Sequence, residues 1–268
     1  WLEENQQLVQ FIFHIGARTD TTEFDTKIFD KLNLNYTKDI WNLCVKHGLP
    51  LVYASSAATY GLGEFGYDDN HDIVNKLKPL NPYGDSKNDF DKWALAQEKQ
   101  PYFWAGLKFF NVYGPMEYHK DSMASVVFKS FHSIKSTGKM KLFRSHNPEY
   151  KDGEQLRDFV YVKDVTRWIV ELMEKKPANG IYNMGFGKAR TWLDLVGATF
   201  KSMNVETKID WMEIPTDIRN QYQYFTEANM NRWLAQKMSA PQWSLEAGIK
   251  DYVQNYLNTS DPYLKAKV

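Results

Sequence analysis

Short apolar runs alternate with segments of helical period along the first part of this chain. Phe11-Ile12-Phe13-His14-Ile15 is a compact apolar run closed by Gly16, the pattern of a strand buried in a parallel sheet. Phe24, Ile28, Leu32 and Tyr36 fall four apart, which predicts a helix over 23–47 that Gly48 stops. Leu49–Ala54 predicts a second strand, and a loop of mixed polarity then runs to Pro82. A helix over 83–99 and a strand over Ala105–Phe110 follow. Strand, helix, strand, helix, strand in that order implies a parallel sheet wrapped by helices.

Beyond Gly114-Pro115 the pattern weakens. Residues 122–136 read as a helix and 144–156 as a polar, turn-rich loop. Asp158–Val162 reads as a strand, with Asp164 as the cap of a helix over 165–175. Gly180–Met184 is another strand, Gly185-Phe186-Gly187 a strand-to-helix turn, and helices near 191–203 and 244–257 close the chain.

Composition narrows the function classes. Lys plus Arg number 33 and Asp plus Glu 33, so no global field exists to hold nucleic acid or an anionic membrane, and neither is an expected partner. No apolar run approaches the roughly 18 residues of a membrane span. The single cysteine, Cys44, cannot form an internal disulfide, which points to a reducing cytoplasm. It sits in an apolar helical stretch and reads as a buried spectator. The six histidines show no metal-ligand spacing. Asp68, Asp69 and Asp72 read as loop solvation, and Lys139-Met140-Lys141 as a solvated stretch.

Chemistry concentrates at the strand ends, where ligands of open α/β sheets bind. The second strand runs into Ser55-Ser56-Ala57-Ala58-Thr59-Tyr60-Gly61, and the next helix opens with Tyr83-Gly84-Asp85-Ser86-Lys87. Tyr83 and Lys87 are four apart and share one helix face. A Lys ammonium beside a phenol lowers the Tyr pKa and makes a proton acceptor for an alcohol. A nearby serine hydroxyl would steady the developing alkoxide. Hydride must leave as the proton leaves, so a nicotinamide cofactor is implied. Tyr and Lys four apart, alone, would be read as a chance surface pair; the serine-rich strand end is what changes that reading.

These segments, with Phe110-Asn111-Val112-Tyr113-Gly114-Pro115, resemble the extended short-chain dehydrogenase/reductase family. Three more segments resemble, within it, the ADP-L-glycero-D-manno-heptose 6-epimerases of lipopolysaccharide core precursor synthesis. They are His14–Glu23, His119–Val126 and Arg157–Val162. The resemblance implies a Rossmann-type doubly wound sheet over 1–114 and a smaller mixed substrate domain over 115–268, with 158–185 returning to the sheet.

It further implies that C6'' of an ADP-heptose is inverted by transient oxidation with NADP, NAD being the second choice. By position, Tyr83 and Lys120 resemble the two acid/base residues, assisted by Ser56 and Lys87. Gly16, Ala17, Arg18, Thr19, Asn33, Lys87, Val112 and Lys120 resemble cofactor contacts. Ser56, Asn111, Ser122, Lys129, Phe143, Arg144, Ser145, His146, Arg157 and Tyr222 resemble substrate contacts. Arg157 suits a diphosphate because a guanidinium donates in a fork. A homo-oligomer, in some relatives a pentamer, is also implied.

The chain departs from the family in lacking the Gly-x-x-Gly-x-x-Gly fingerprint and the residues that choose between NAD and NADP. It opens on Trp1, and its first strand would be the family's fourth. The expectation is an N-terminally incomplete chain short of about 60 residues, two βα units. The rival readings are another nucleotide-sugar epimerase, such as a UDP-hexose 4-epimerase, a 4,6-dehydratase, or a non-catalytic dinucleotide-sensing module. Ser56-Ala57-Ala58-Thr59 carries no carboxylate, which argues against elimination.

Overall fold

A computed structural model describes residues 1–216, 218–219 and 222–260. It divides into two compact units: 1–110 with 168–184 and 228–239, and 111–167 with 185–227 and 240–268.

The first unit is built on four parallel strands in the order Ile12–His14, Leu51–Ser56, Trp104–Phe109, Gly180–Met184. The central strands are apolar on both faces and almost wholly buried, as expected where helices cover both sides. Trp41, Tyr53, Phe90, Trp104 and Ile181 share one core, in which Trp41 meets Trp104 edge-on at 5.1 Å and Tyr53 meets Phe90 at 4.7 Å. Gly106 is dictated by that packing: a Cβ there would lie 2.3 Å from the Tyr53 hydroxyl.

The helix expected over 23–47 starts later and is not uniform. Asp25 caps it by accepting from Lys27 N–H at 3.0 Å, and Thr26–Phe29 begins the helix. A π-helical turn, Asp30–Asn35, precedes the regular Tyr36–His47. Gly48 ends it in the left-handed conformation, φ 65°. Cys44 is fully buried, and burial pushes its thiol up to about 12. The next helix is Pro82–Leu95, ending four residues earlier than its sequence suggested, with Asn81 as its cap and Pro82 in its first turn.

The second unit has a separate core of Val127, Phe131, Phe159, Tyr161, Leu195, Phe200, Ile249 and Tyr252, among others. Among the described residues this unit carries three two-stranded pairs: Asn111–Tyr113 with Phe159–Tyr161, Met140–Phe143 with Ile209–Met212, and Leu156–Arg157 with Arg190–Thr191. Of residues 158–185, expected to return to the main sheet, only Gly180–Met184 pair with it. The run 139–141 is solvated at both lysines, as expected, and also leads into a strand in which Met140 is half-buried; Lys139 meets Asp210 at 3.2 Å.

Two aspartates also differ from expectation. Asp164 does not cap its own helix, which begins at Val162; it is buried and accepts from the N–H groups of Gln242 and Trp243 at 3.0 Å. Asp69 does not solvate its loop. It is buried, accepts from Asn183 N–H at 2.8 Å, and burial pushes it up to about 6. The turn at Gly185-Phe186-Gly187 closes on a third, Asp158, which accepts from Phe186 and Gly187 N–H at 2.6 and 2.9 Å.

Candidate active site

The strand Leu51–Ser56 ends on Ser56, whose hydroxyl accepts from Ala58 N–H at 3.1 Å and turns the chain into the 3-10 turn Ala57–Tyr60. The helix Pro82–Leu95 starts against that turn. A Cβ on Gly84 would lie 3.0 Å from the Ala58 carbonyl oxygen, so only glycine permits the approach. The approach brings the start of the helix, with Tyr83, against the turn that follows Ser56. Burial pushes the phenol above its usual value, and the Ser56 side chain pulls it part of the way back.

Lys87, one turn further on, is buried and donates from Nζ to the Ala54 carbonyl at 2.7 Å. Burial pulls its ammonium down to about 8, against the carboxylate of Asp91, which holds it up. The sequence suggested that Lys87 would depress the Tyr83 phenol. The structure shows the opposite sign, because the phenol lies in a desolvated place while the ammonium is drawn to the strand carbonyl.

Beneath these groups lies a buried network that sequence reasoning missed. Asp91 Oδ2 meets Lys108 Nζ at 2.8 Å and accepts from the Ser55 hydroxyl at 2.6 Å; Oδ1 accepts from the Tyr53 hydroxyl at 2.9 Å. Lys108 also donates to the Thr59 hydroxyl at 2.6 Å and lies over the Tyr60 ring. The available signal was spacing: Tyr83, Lys87 and Asp91 run four apart along one face.

The loop after the first strand carries Gly16, Ala17, Arg18 and Thr19. Asn33, buried in the π-helical turn, holds it by bonding both the N–H and the carbonyl of Arg18, and also donates to the Ser86 hydroxyl at 3.0 Å. Gly16 faces open space, so no packing contact demands glycine there. Thr19 and the Arg18 side chain are exposed, the latter paired with Asp20 at 3.1 Å. Nearby His14 bonds the Thr37 hydroxyl at 3.0 Å, and burial, with the Lys87 charge, pulls it down to about 4.

The second unit holds the remaining candidates. Phe143 meets the Tyr222 ring edge-on at 6.2 Å, and the Arg157 guanidinium lies 5.5 Å from the Tyr222 ring and 5.7 Å from that of Trp192. Arg157 donates to the Leu156 carbonyl at 2.8 Å and to that of Gln223. Arg144 pairs with Asp152 at 2.7 Å, Ser145 N–H donates to the same carboxylate at 2.8 Å, and His146 lies 2.9 Å from Glu213. Arg157 thus lies between the Tyr222 and Trp192 rings with Phe143 at the edge of Tyr222, and Arg144, Ser145 and His146 follow Phe143 along the chain.

The other candidates lie elsewhere. Lys120 and Ser122 are exposed on the 3-10 turn Tyr118–Met123, and Lys129 is exposed on the helix Val126–Thr137. Asn111, exposed, and Val112, half-buried, lie on the strand paired with Phe159–Tyr161. The turn bearing Lys120 has a buried anchor that sequence reasoning also missed. Glu117 accepts from Gly114 N–H at 3.2 Å and from the N–H and hydroxyl of Ser125, both at 2.7 Å.

Residues 3–185 match the NAD dependent epimerase/dehydratase family. The chain belongs to this family. Family membership implies a nicotinamide dinucleotide as the cofactor. The chain is 47% identical to the ADP-L-glycero-D-manno-heptose-6-epimerase of Fusobacterium nucleatum, over 98% of this chain and 82% of that one. It is 44% identical to the protein of the same name from Nitratidesulfovibrio vulgaris strain DP4, over 96% of this chain and 79% of that one. The solved ADP-L-glycero-D-manno-heptose-6-epimerase of Helicobacter pylori superposes with a TM-score of 0.79 at 28% identity, covering 95% of this chain and 75% of that one. Among the described residues, no helix of this family member is long and apolar enough to cross a membrane.

Proposed function

We propose that this epimerase inverts C6'' of ADP-D-glycero-beta-D-manno-heptose to give the L-glycero epimer, a precursor of lipopolysaccharide core. The observation that carries the reading is the close packing of the helix start bearing Tyr83 against the turn that follows Ser56, with Lys87 one turn further along the same helix. A phenol, a hydroxyl and an ammonium at the carboxyl end of a parallel strand are the donor set that an alcohol-oxidising dinucleotide needs. The names of the relatives supply the substrate.

A nicotinamide dinucleotide, NADP in preference to NAD on the family resemblance, would supply the hydride acceptor and donor for the carbinol carbon. Tyr83 takes the carbinol proton and gives it back. Ser56 holds the substrate oxygen through its hydroxyl. Lys87 would contact the dinucleotide's ribose, and Asn33, which bonds the Arg18 backbone, would hold the loop 16–19 that contacts the cofactor. Inversion demands proton handling on both faces of the carbon, and Lys120 is assigned the second face.

Arg157, with Phe143, Arg144, Ser145, His146 and Tyr222 around it, receives the nucleotide diphosphate and sugar. Asn111, Ser122 and Lys129 are assigned to the substrate and Val112 to the dinucleotide by position. A homo-oligomer is part of the same proposal and is checked by light scattering.

The test is to add ADP-D-glycero-beta-D-manno-heptose and each dinucleotide to the purified protein and resolve the two heptose epimers by NMR. Appearance of the L-glycero epimer with no net change in dinucleotide absorbance supports the reading. Turnover of a UDP-hexose and none of the ADP-heptose would replace it with the rival epimerase.

A further inference from the structure

We propose that Asp91 and Lys108 are a positioning pair for the active site: Asp91 keeps the Lys87 ammonium charged on the shared helix face, and Lys108 sets how much of the Asp91 field reaches it. The proposal deepens the reading of the Ser56–Tyr83–Lys87 site and rests on it for its functional meaning.

The geometry is specific. Tyr83, Lys87 and Asp91 occupy three successive turns of one stripe on the helix Pro82–Leu95. The Asp91 carboxylate is fully buried and carries three side-chain bonds, from Tyr53, Ser55 and Lys108. Two of these partners, Tyr53 and Ser55, stand on the strand that ends in Ser56, and the third, Lys108, on its neighbour. The same carboxylate therefore fixes the strand end beneath Ser56 and faces the lysine above. Lys108 is equally buried, so neither charge is screened by water.

Other charged or titratable groups face this set. His14 comes from the first strand, Tyr60 from the turn after Ser56, and His71 from the turn His71–Lys76. Burial holds both histidines neutral near physiological pH, with values of about 4, and raises Tyr60 well above its usual range. Asp91 is thus the anion that acts on Lys87, and Lys108 is the cation paired with that anion. Burial alone pulls Lys87 down, and the Asp91 charge works against that pull.

A structural pair and a positioning pair make different predictions. If the two residues only hold the strand, removing either lowers stability and leaves the ionisation of Lys87 where it was. If they set the field, the two removals act in opposite directions. The measurement is the titration of Lys87 in protein labelled at lysine Cε with carbon-13, without substrate, its signal assigned by its loss in Lys87→Arg.

The parent midpoint is expected near 8. Asp91→Asn, which leaves Lys108 unopposed, should lower it by about one pH unit, and Lys108→Met, which acts on Lys87 through the charge it pairs with, should raise it by about half as much. The double variant Asp91→Asn/Lys108→Met buries no unpaired charge; it remains measurable if the single variants fail to fold, and its midpoint should fall below the parent's. Midpoints within about 0.3 pH unit of the parent in every variant that folds would overturn the proposal. Opposed shifts in a protein that fails to epimerise ADP-heptose would support the pair's role and refute the functional reading instead.

Discussion

Asn33 and the backbone of Arg18 exchange two hydrogen bonds, Arg18 N–H to Oδ1 at 2.9 Å and Nδ2 to the Arg18 carbonyl at 3.0 Å. One buried side chain thereby fixes a loop whose own residues are mostly exposed. Replacing Asn33 by Ala leaves the N–H and the carbonyl of Arg18 without their partner, while the Ser86 hydroxyl keeps its bond to the Tyr83 carbonyl. The expected cost is about 1–3 kcal/mol in stability and roughly tenfold weaker dinucleotide binding. A urea denaturation midpoint and a fluorescence titration with the dinucleotide measure the two. Parent-like affinity in a folded Asn33→Ala protein would remove Asn33 from the binding loop's support.

Tyr83→Phe keeps the ring packed against Phe29, 6.3 Å away between centroids, and removes only the phenol hydroxyl. Turnover should fall by about 10²–10⁴ while KM changes little. Because burial raises the phenol, activity carried by Tyr83 should climb with pH through the neutral range. Initial rates for parent and variant across that range check both statements. A parent rate that stays flat through the range would mean that the ionisation of Tyr83 does not limit the reaction.

Lys120→Met separates two roles. As the second acid/base, Lys120 should be required for full inversion, and oxidation on the Tyr83 face should survive at a reduced rate. As a diphosphate contact, its loss should raise KM and leave saturated turnover unchanged, since uniform binding alone is removed. Following both heptose epimers separately, together with a half-reaction on an aldehyde analogue, distinguishes them. Inversion at the parent rate and KM would exclude both roles.

His14 makes folding acid-sensitive. Its folded pKa, about 4, lies below the unfolded value of 6.5 because burial disfavours the cation. The unfolded chain therefore binds the proton first, so the stability His14 contributes is intact above the unfolded value and is lost as pH falls toward about 4. His14 is partly exposed, so the loss between about pH 7 and pH 5 is set near 1 kcal/mol. Asp69, raised to about 6, works the other way as it takes up its proton. His14→Gln should shrink the drop in urea midpoint over that range. An unchanged drop would place the acid sensitivity elsewhere.

The sheet was legible because its strands are continuous apolar runs: Gly180–Met184 was predicted to the residue, and Leu51–Ser56 and Trp104–Phe109 to within two. The small strand pairs of the second unit were not legible. Met140–Phe143 and Leu156–Arg157 are short, mixed in polarity and specified by partners far along the chain. Ser56 and Tyr83 could be read as neighbours because helix spacing and the serine-rich strand end both point there. The sign of the Tyr83 shift could not, since it depends on how deeply the phenol is buried. Asp91, Lys108 and Glu117 looked like ordinary charged positions; only long-range contacts show that each is buried with a partner.

The central claim is that inversion proceeds by removal and return of a hydride at one carbon, with Tyr83 handling its proton. The most direct measurement uses ADP-heptose carrying deuterium at C6'', incubated with the complete holoenzyme in ordinary water. The account predicts that the L-glycero product keeps its deuterium at C6'', because the hydride goes to the dinucleotide and comes back without meeting solvent. Product in which that deuterium has been exchanged for solvent hydrogen would contradict it.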